Sequence, residues 1–182
     1  MKSTIYIDAE FTDLVQPKLL SLGMVTSDGQ EHYVELDLAD PASAGTLKHA
    51  SGFVLDNGVL EQWGRIPDSA TSHFEMGKRT ARWLLTQTAR LGEPTQITFD
   101  YETDYNLFKS LLQDAGQWEA VRSVTVPQNV GEWSNRLDGS LGASFAYDQL
   151  QGRGLERHHA LADAHALRAA CYAVDTGRRL KL

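Results

Sequence analysis

The sequence predicts a single α/β domain: a mixed β-sheet that opens as an antiparallel meander of three strands, continues with parallel strands and is flanked by helices. Three observations carry this. At 182 residues the chain is long enough for one sizeable core and short for two. Its first part holds three strand-like runs, the last two separated by Ser27-Asp28-Gly29-Gln30. Beyond about residue 74 the apolar pattern alternates between helical periods and short strands, so the element order is β-β-β-α-β-α-β-α-α, which fits one sheet covered by helices.

The opening stretch, Ile5 to Thr12, carries an apolar, β-branched run that ends in Asp8-Ala9-Glu10. Side chains alternate along a strand, so Asp8 and Glu10 share one face while Ile7 and Ala9 turn to the core. Two carboxylates held that close repel each other, and hard oxygen donors in such a cluster suit Mg²⁺ or Mn²⁺. Alone, the pair also fits the exposed end of a strand. The next runs are Lys18 to Thr26 and Glu31 to Asp37, with Asp28-Gly29 supplying the positive φ of a hairpin.

From Leu38 to about Thr71 the periodicity dissolves into Asp40-Pro41, Ala44-Gly45, Ser51-Gly52, Asn57-Gly58 and Pro67-Asp68. So long an irregular segment reads either as a surface loop or as a substrate-side lid with short helical turns, anchored by Leu55, Leu60 and Trp63. Helical spacing returns from Phe74 to Leu91, stopped by Gly92 and Pro94. Thr95 to Phe99 reads as a buried strand. Thr103 then suits the cap of a helix with Leu107, Phe108, Leu111 and Leu112 on its apolar stripe, and Asp104 falls in its first turn. Val121 to Val126 alternates as a strand ended by Pro127, Gln128 to Gly139 is loop-like, and Leu141 to Leu150 and Ala160 to Val174 read as helices.

Composition narrows the function. The chain is 42% hydrophobic and 23% charged with a net charge of -7, which argues against a non-specific polyanion coat. It leaves a nucleic-acid enzyme open, because carboxylates gathered around divalent ions add to the negative sum while the ions reverse the local field. No run is long enough to span a membrane, and Asp8 and Glu10 interrupt the N-terminal stretch that a signal peptide would need. The single cysteine, Cys171, sits at an apolar helix position, so the expectation is a core residue in a reducing cytoplasm.

Partners for Asp8 and Glu10 lie far away in sequence. His158-His159-Ala160-Leu161-Ala162-Asp163 opens the last helix, placing Asp163 in its first turns and His158 on the entering loop. An imidazole, with an ordinary pKa near ~6.5, suits proton abstraction from water near neutrality. Each residue also has a plainer reading. Asp104 and Asp163 complement a helix dipole, His158 and His159 suit a solvated loop, and His165 suits a partly buried helix face. The conjunction of an Asp-x-Glu, a helix-opening Asp and a His-x4-Asp favours a site.

In that order these motifs resemble the DEDDh family of 3′–5′ exonucleases, over nearly the whole chain. Asp8-Ala9-Glu10-Phe11, Leu20 to Val25 and the Asp28-Gly29 hairpin look like the small bacterial exoribonucleases first recognised in mycobacteria, with oligoribonuclease and ribonuclease T more distant. Asp104 matches the second motif, with Asp100 its rival, and His158 with Asp163 the third; His159 and the acids Asp100 and Glu102 depart from the family pattern. The resemblance implies a ribonuclease H-like fold and two divalent cations, Mg²⁺ or Mn²⁺, with Asp8 between them, Glu10 and Asp163 on one and Asp104 on the other. It further implies His158 as general base, Glu10 near the ribose 2′-hydroxyl and a homodimer. Phe11 is the candidate for stacking on the terminal base. The expected substrate is the 3′ end of single-stranded RNA. The alternatives are single-stranded DNA, a small-nucleotide phosphohydrolase, or a catalytically silent binding or dimerisation module of the same fold.

Overall fold

The computed structural model describes residues 3–43, 45–56, 58–92, 94–131 and 136–182, with the backbone alone at residue 49. Three strands, β1 (Thr4–Phe11), β2 (Leu19–Thr26) and β3 (Glu31–Leu36), form the expected antiparallel meander. At its hairpin Gly29 has φ 93°, and the Thr26 hydroxyl accepts from the Gln30 N–H at 2.8 Å while donating to Asp28 at 2.6 Å. On the far side of β1 lie β5 (Thr95–Phe99) and β6 (Thr125–Asn129), both parallel to it; a two-residue strand, β4 (Ala70–Thr71), pairs in parallel with β3. The sheet order is β4-β3-β2-β1-β5-β6.

Alternation along β1 divides the molecule. Ile5, Ile7 and Ala9 join Ile97, Phe99, Phe108 and Leu111 in the main core, beneath α2 (His73–Leu91) and α3 (Glu102–Asp114). Tyr6, on the other face, packs on Leu167 and Cys171 of the last helix, α6 (Ala160–Thr176). Ser72 caps α2 by accepting from the Glu75 N–H, a contact whose loss costs about 1 kcal/mol.

Two glycines set the positions of the last two helices. A Cβ on Gly23 would lie 2.3 Å from the main chain of Ala160 and Leu161, so only glycine lets the start of α6 sit on β2. Gly23 is paired across the ladder with Asp8, and the helix start therefore arrives beside that carboxylate. A Cβ on Gly142 would lie 2.6 Å from the Ala169 carbonyl, which brings α5 (Leu137–Leu150) directly against α6.

The structure corrects several local expectations. Residues 118–122 are a short helix, α4 (Trp118–Arg122), which buries Val121, and β6 starts only at Thr125 with Val126 exposed. Pro127 lies within β6 instead of ending it; as the outermost strand, β6 tolerates a residue without an N–H. Thr103 is not a cap: α3 begins at Glu102 after Tyr101, which makes no side-chain cap hydrogen bond. The helix expected at Leu141 begins at Leu137, and only part of the 128–139 stretch is irregular, its middle, 132–135, lying outside the described residues. The Ala44 and Asn57 turn signals also fall partly outside them. Among its described residues, segment 38–71 holds two 3₁₀ turns, the short helix α1 (Gly52–Asp56) and β4. Its anchors are Val54 and Val59, packed with Leu20, Leu60 and Trp63, whereas Leu55 is exposed. Among the described residues no helix is long and apolar enough to cross a membrane.

Candidate active site

The carboxyl ends of β1 and β5 lie at the same edge of the sheet because the two strands are parallel. This edge is where open α/β sheets place their ligands. Asp8 and Glu10 reach it from β1, Asp100 and Asp104 from the β5–α3 junction, and His158 and Asp163 from the entrance of α6. Ligand atoms of Glu10, His158 and Asp163 all lie within 4.8 Å of one another, and so do those of Asp8, Asp100 and Asp104. All five expected site residues are thus brought together. Asp100 and Asp104, rivals in the sequence, stand in the same group. Asp8 groups with them instead of with its neighbour Glu10.

Burial and like charge act together here. Glu10 and Asp104 are buried, while Asp8 and Asp163 keep part of their surface open to a cavity of about 410 Å³. Glu10 is pushed up to about 9, first by burial and then by the charges of Asp163 and Asp104. Asp104 is pushed up to about 8 by burial, then by Asp100 and Asp163, against a hydrogen bond with the Ala9 main chain. Asp8 is raised far above the carboxylate range by burial and by Asp104, Asp163 and Glu10. Burial raises Asp163 also, opposed by the Tyr147 hydroxyl and by His158. Hard oxygen donors crowded in this way could hold a metal cation.

The two histidines of the third motif have different tasks. His158 has φ 67°, in the left-handed region, and donates its main-chain N–H to Asp163 Oδ2 at 3.0 Å. This turn aims its ring at Glu10 and Asp163, with the Phe53 ring edge-on at 5.1 Å. His159 is buried, not solvated: its Nδ1 accepts from the Leu161 N–H at 3.2 Å as the cap of α6, and its ring stacks on Tyr33 at 4.4 Å. Burial holds the His159 ring down to about 4, with Arg65 and Arg153 pressing the same way. His165 is also buried and pairs with Glu31 at 2.7 Å, away from the acidic groups. Phe11 stacks on the half-exposed Tyr101 with centroids 6.4 Å apart, one residue beyond Glu10 and Asp100 respectively.

Three residues that sequence reasoning missed complete the site. Tyr147 donates to Asp163 Oδ1 at 2.5 Å; α5 and α6 run antiparallel, so the approach at Gly142 and Ala169 carries Tyr147 to Asp163. Arg157 lines the cavity and lies over the Tyr147 ring at 5.9 Å. Gln62, buried, donates to the Arg157 carbonyl at 2.7 Å and accepts from the Glu156 N–H at 3.0 Å, binding the His158 loop to segment 38–71. No local spacing in the sequence marks these contacts. Replacing Gln62 with leucine is expected to leave the fold intact and to weaken Mn²⁺ binding at the acidic groups by roughly 10–100-fold, the usual effect of removing a group that orients a functional side chain. Mn²⁺ titration beside a melting curve tests this, and an unchanged affinity would detach Gln62 from the site.

The raised carboxylates also dictate how stability responds to pH. Groups that hold their protons more tightly when folded contribute fully below the unfolded pKa near ~4, and that contribution is lost as pH rises through the folded values, about 8 for Asp104 and about 9 for Glu10. His32 and His159, both held to about 4 by burial, work in the opposite sense below about 6.5. Between about pH 7 and 9 the carboxylates are joined, in the same direction, by the Cys171 thiol, which burial pushes up to about 12. The melting temperature of the chelator-treated protein is therefore expected to fall across that window, and saturating Mg²⁺ to flatten the slope. A rise with pH in chelator contradicts the charge-crowding account.

No protein-family model matches the chain, and a search of curated proteins finds no match. Fold and site together define an α/β domain with a carboxylate-rich centre able to hold metal ions at the edge of its sheet.

Proposed function

We propose that the chain is a metal-dependent 3′–5′ exonuclease of the DEDDh type on a ribonuclease H-like fold, acting on single-stranded nucleic acid with RNA preferred. The observation that carries this reading is the meeting of Asp8, Glu10, Asp104, Asp163 and His158, from three separate segments, at one sheet edge. The donor set is all oxygen apart from one imidazole, which fits Mg²⁺ or Mn²⁺. Asp8 and Asp104, with Asp100 beside them, would hold one cation; Glu10 and Asp163 would hold the other. Bound there, a cation pair supplies the positive charge that phosphodiester hydrolysis needs at its attacking and leaving oxygens.

The protein's own groups do the rest. Tyr147 and the His158 main chain each donate to Asp163 and fix its two oxygens. The His158 ring, within 4.8 Å of the Glu10 and Asp163 oxygens, would take the proton of the attacking water. Arg157 offers the cavity a guanidinium for the phosphate. Phe11 and Tyr101 form an aromatic pair that a terminal base can stack against. With Lys and Arg totalling 17 against 24 acids, the chain has little charge for gripping a long duplex, which favours short single strands, frequent dissociation and affinity from metal and stacking. RNA preference rests on Glu10 reaching the terminal 2′-hydroxyl. Pairing into a homodimer and work in the cytoplasm belong to the same reading.

A denaturing gel with 3′-terminal ribose and 2′-deoxyribose versions of one end-labelled RNA oligomer, alongside DNA, tests it. The expected result is a ladder of stepwise 3′ shortening with Mg²⁺ or Mn²⁺, none with chelator, and slower removal of the deoxy terminus. Equal rates leave a general single-strand exonuclease. Hydrolysis of mononucleotides alone, or binding without cleavage, replaces the proposal with a small-nucleotide phosphohydrolase or a silent module.

A further inference from the structure

Away from the acidic cleft, and sharing no lining residue with it, a cavity of about 670 Å³ lies between the faces of β1, β5 and β6 and the C-terminal half of α6. Its unusual wall is Arg168, only 8% exposed. A guanidinium carries five N–H donors, and among the described residues this one makes a single hydrogen bond, from Nη2 to the Ser27 carbonyl at 3.2 Å, while Nε has no partner. It belongs to none of the described ion pairs. The acids whose charge reaches it are Asp28 and Glu31. Asp28 is already held by Arg90 at 2.5 and 2.9 Å, and Glu31 by Arg153 at 2.6 and 2.7 Å and by His165. Arg168 is thus a buried cation whose nearest acids are committed elsewhere, an arrangement that is costly unless an anion completes it.

We infer that this cavity is a binding site for a small organic phosphate monoester, with its phosphate against Arg168. The Tyr6 hydroxyl lines the same cavity and is suited to donate to a phosphoryl oxygen, whereas the Thr98 hydroxyl is already spent on the Gln128 amide oxygen at 3.3 Å. Val130, Tyr172 and Leu180 give it an apolar wall, and its volume falls within the range of small-molecule pockets and well above the needs of inorganic phosphate. Asp175, exposed on the lining, repels a second phosphate and accepts from hydroxyl or amino groups, so a nucleoside monophosphate fits better than a polyphosphate. The site does not depend on how the acidic cleft is read.

Isothermal titration of the whole protein in EDTA, with adenosine 5′-monophosphate, adenosine and inorganic phosphate as probes, tests the assignment. The monophosphate is expected to bind one to one, with adenosine at least about 10-fold weaker, the scale of one charge-assisted hydrogen bond. Arg168→Met is expected to lose at least as much, and Asp8→Asn nothing. Because Arg168 is buried, Gln128→Phe provides a second variant that fills the cavity from the edge strand with Arg168 in place, and it is expected to show the same loss. Inorganic phosphate binding as tightly as the monophosphate would reduce the site to a bare anion hole and overturn the organic ligand. No binding at about 1 mM, equal affinity for adenosine, or unaltered affinity in a folded variant of either kind overturns the site itself.

Discussion

Replacing Asp8 with alanine is expected to abolish metal-dependent hydrolysis while raising the melting temperature of the metal-free protein. The loss of rate should exceed about 10³-fold, since a single electrostatic contact to developing charge is already worth that much. The gain in stability follows from the crowding: Asp104, Asp163 and Glu10 all oppose ionisation of Asp8, so removing its carboxylate relieves their repulsion. For a chain of this length each kcal/mol relieved appears as about 2–4 °C. Asp163→Ala should be equally inactive but without the gain, because it strips the Tyr147 hydroxyl and the His158 N–H of their acceptor. Gel assays and thermal melts in chelator separate the two claims. Full activity in either variant removes the carboxylates from the chemistry, and a lower melting temperature for metal-free Asp8→Ala contradicts the repulsion.

His158→Asn is expected to slow turnover by roughly 10²–10⁴-fold, the usual worth of a positioned base. Asparagine is the substitution of choice because His158 sits at φ 67°, a conformation that asparagine tolerates better than most residues. His159→Ala should behave differently. It removes the cap of α6 and the Tyr33 stack, costing about 1 kcal/mol of stability for the cap, with a much smaller effect on rate. Titration with Mn²⁺ discriminates base from ligand at position 158: affinity should be nearly unchanged in His158→Asn. A collapse of affinity parallel to the rate would make the ring a metal ligand, and a larger rate loss at His159 would reverse the assignment of the two histidines.

Much of this arrangement is local, which is why it could be read from the chain. Alternation along Ile5 to Glu10 puts Asp8 and Glu10 on one face because a strand repeats every two residues, and the Asp28-Gly29 turn needs only its own positive φ. Errors fell where local pattern and burial part company. Val121 and Val126 look like one strand, yet one is a core residue on a helical turn and the other an exposed residue on an edge. Within segment 38–71 the turn signals were visible, but not that Val54 and Val59, in place of Leu55, face Leu20.

By itself, then, the sequence determined the meander, the longer strands and helices in their order, and the acids and histidines from which a site could be assembled, since each depends on the chemistry of a few neighbouring residues. Only the tertiary structure decided that Asp100 joins Asp104, that His158 turns to the acids while His159 caps a helix, and that Tyr147 and Gln62 hold Asp163 and the His158 loop. Those outcomes depend on close approaches between distant segments, set by Gly23 against Ala160 and Gly142 against Ala169, and such distances are properties of packing that no one-dimensional spacing encodes.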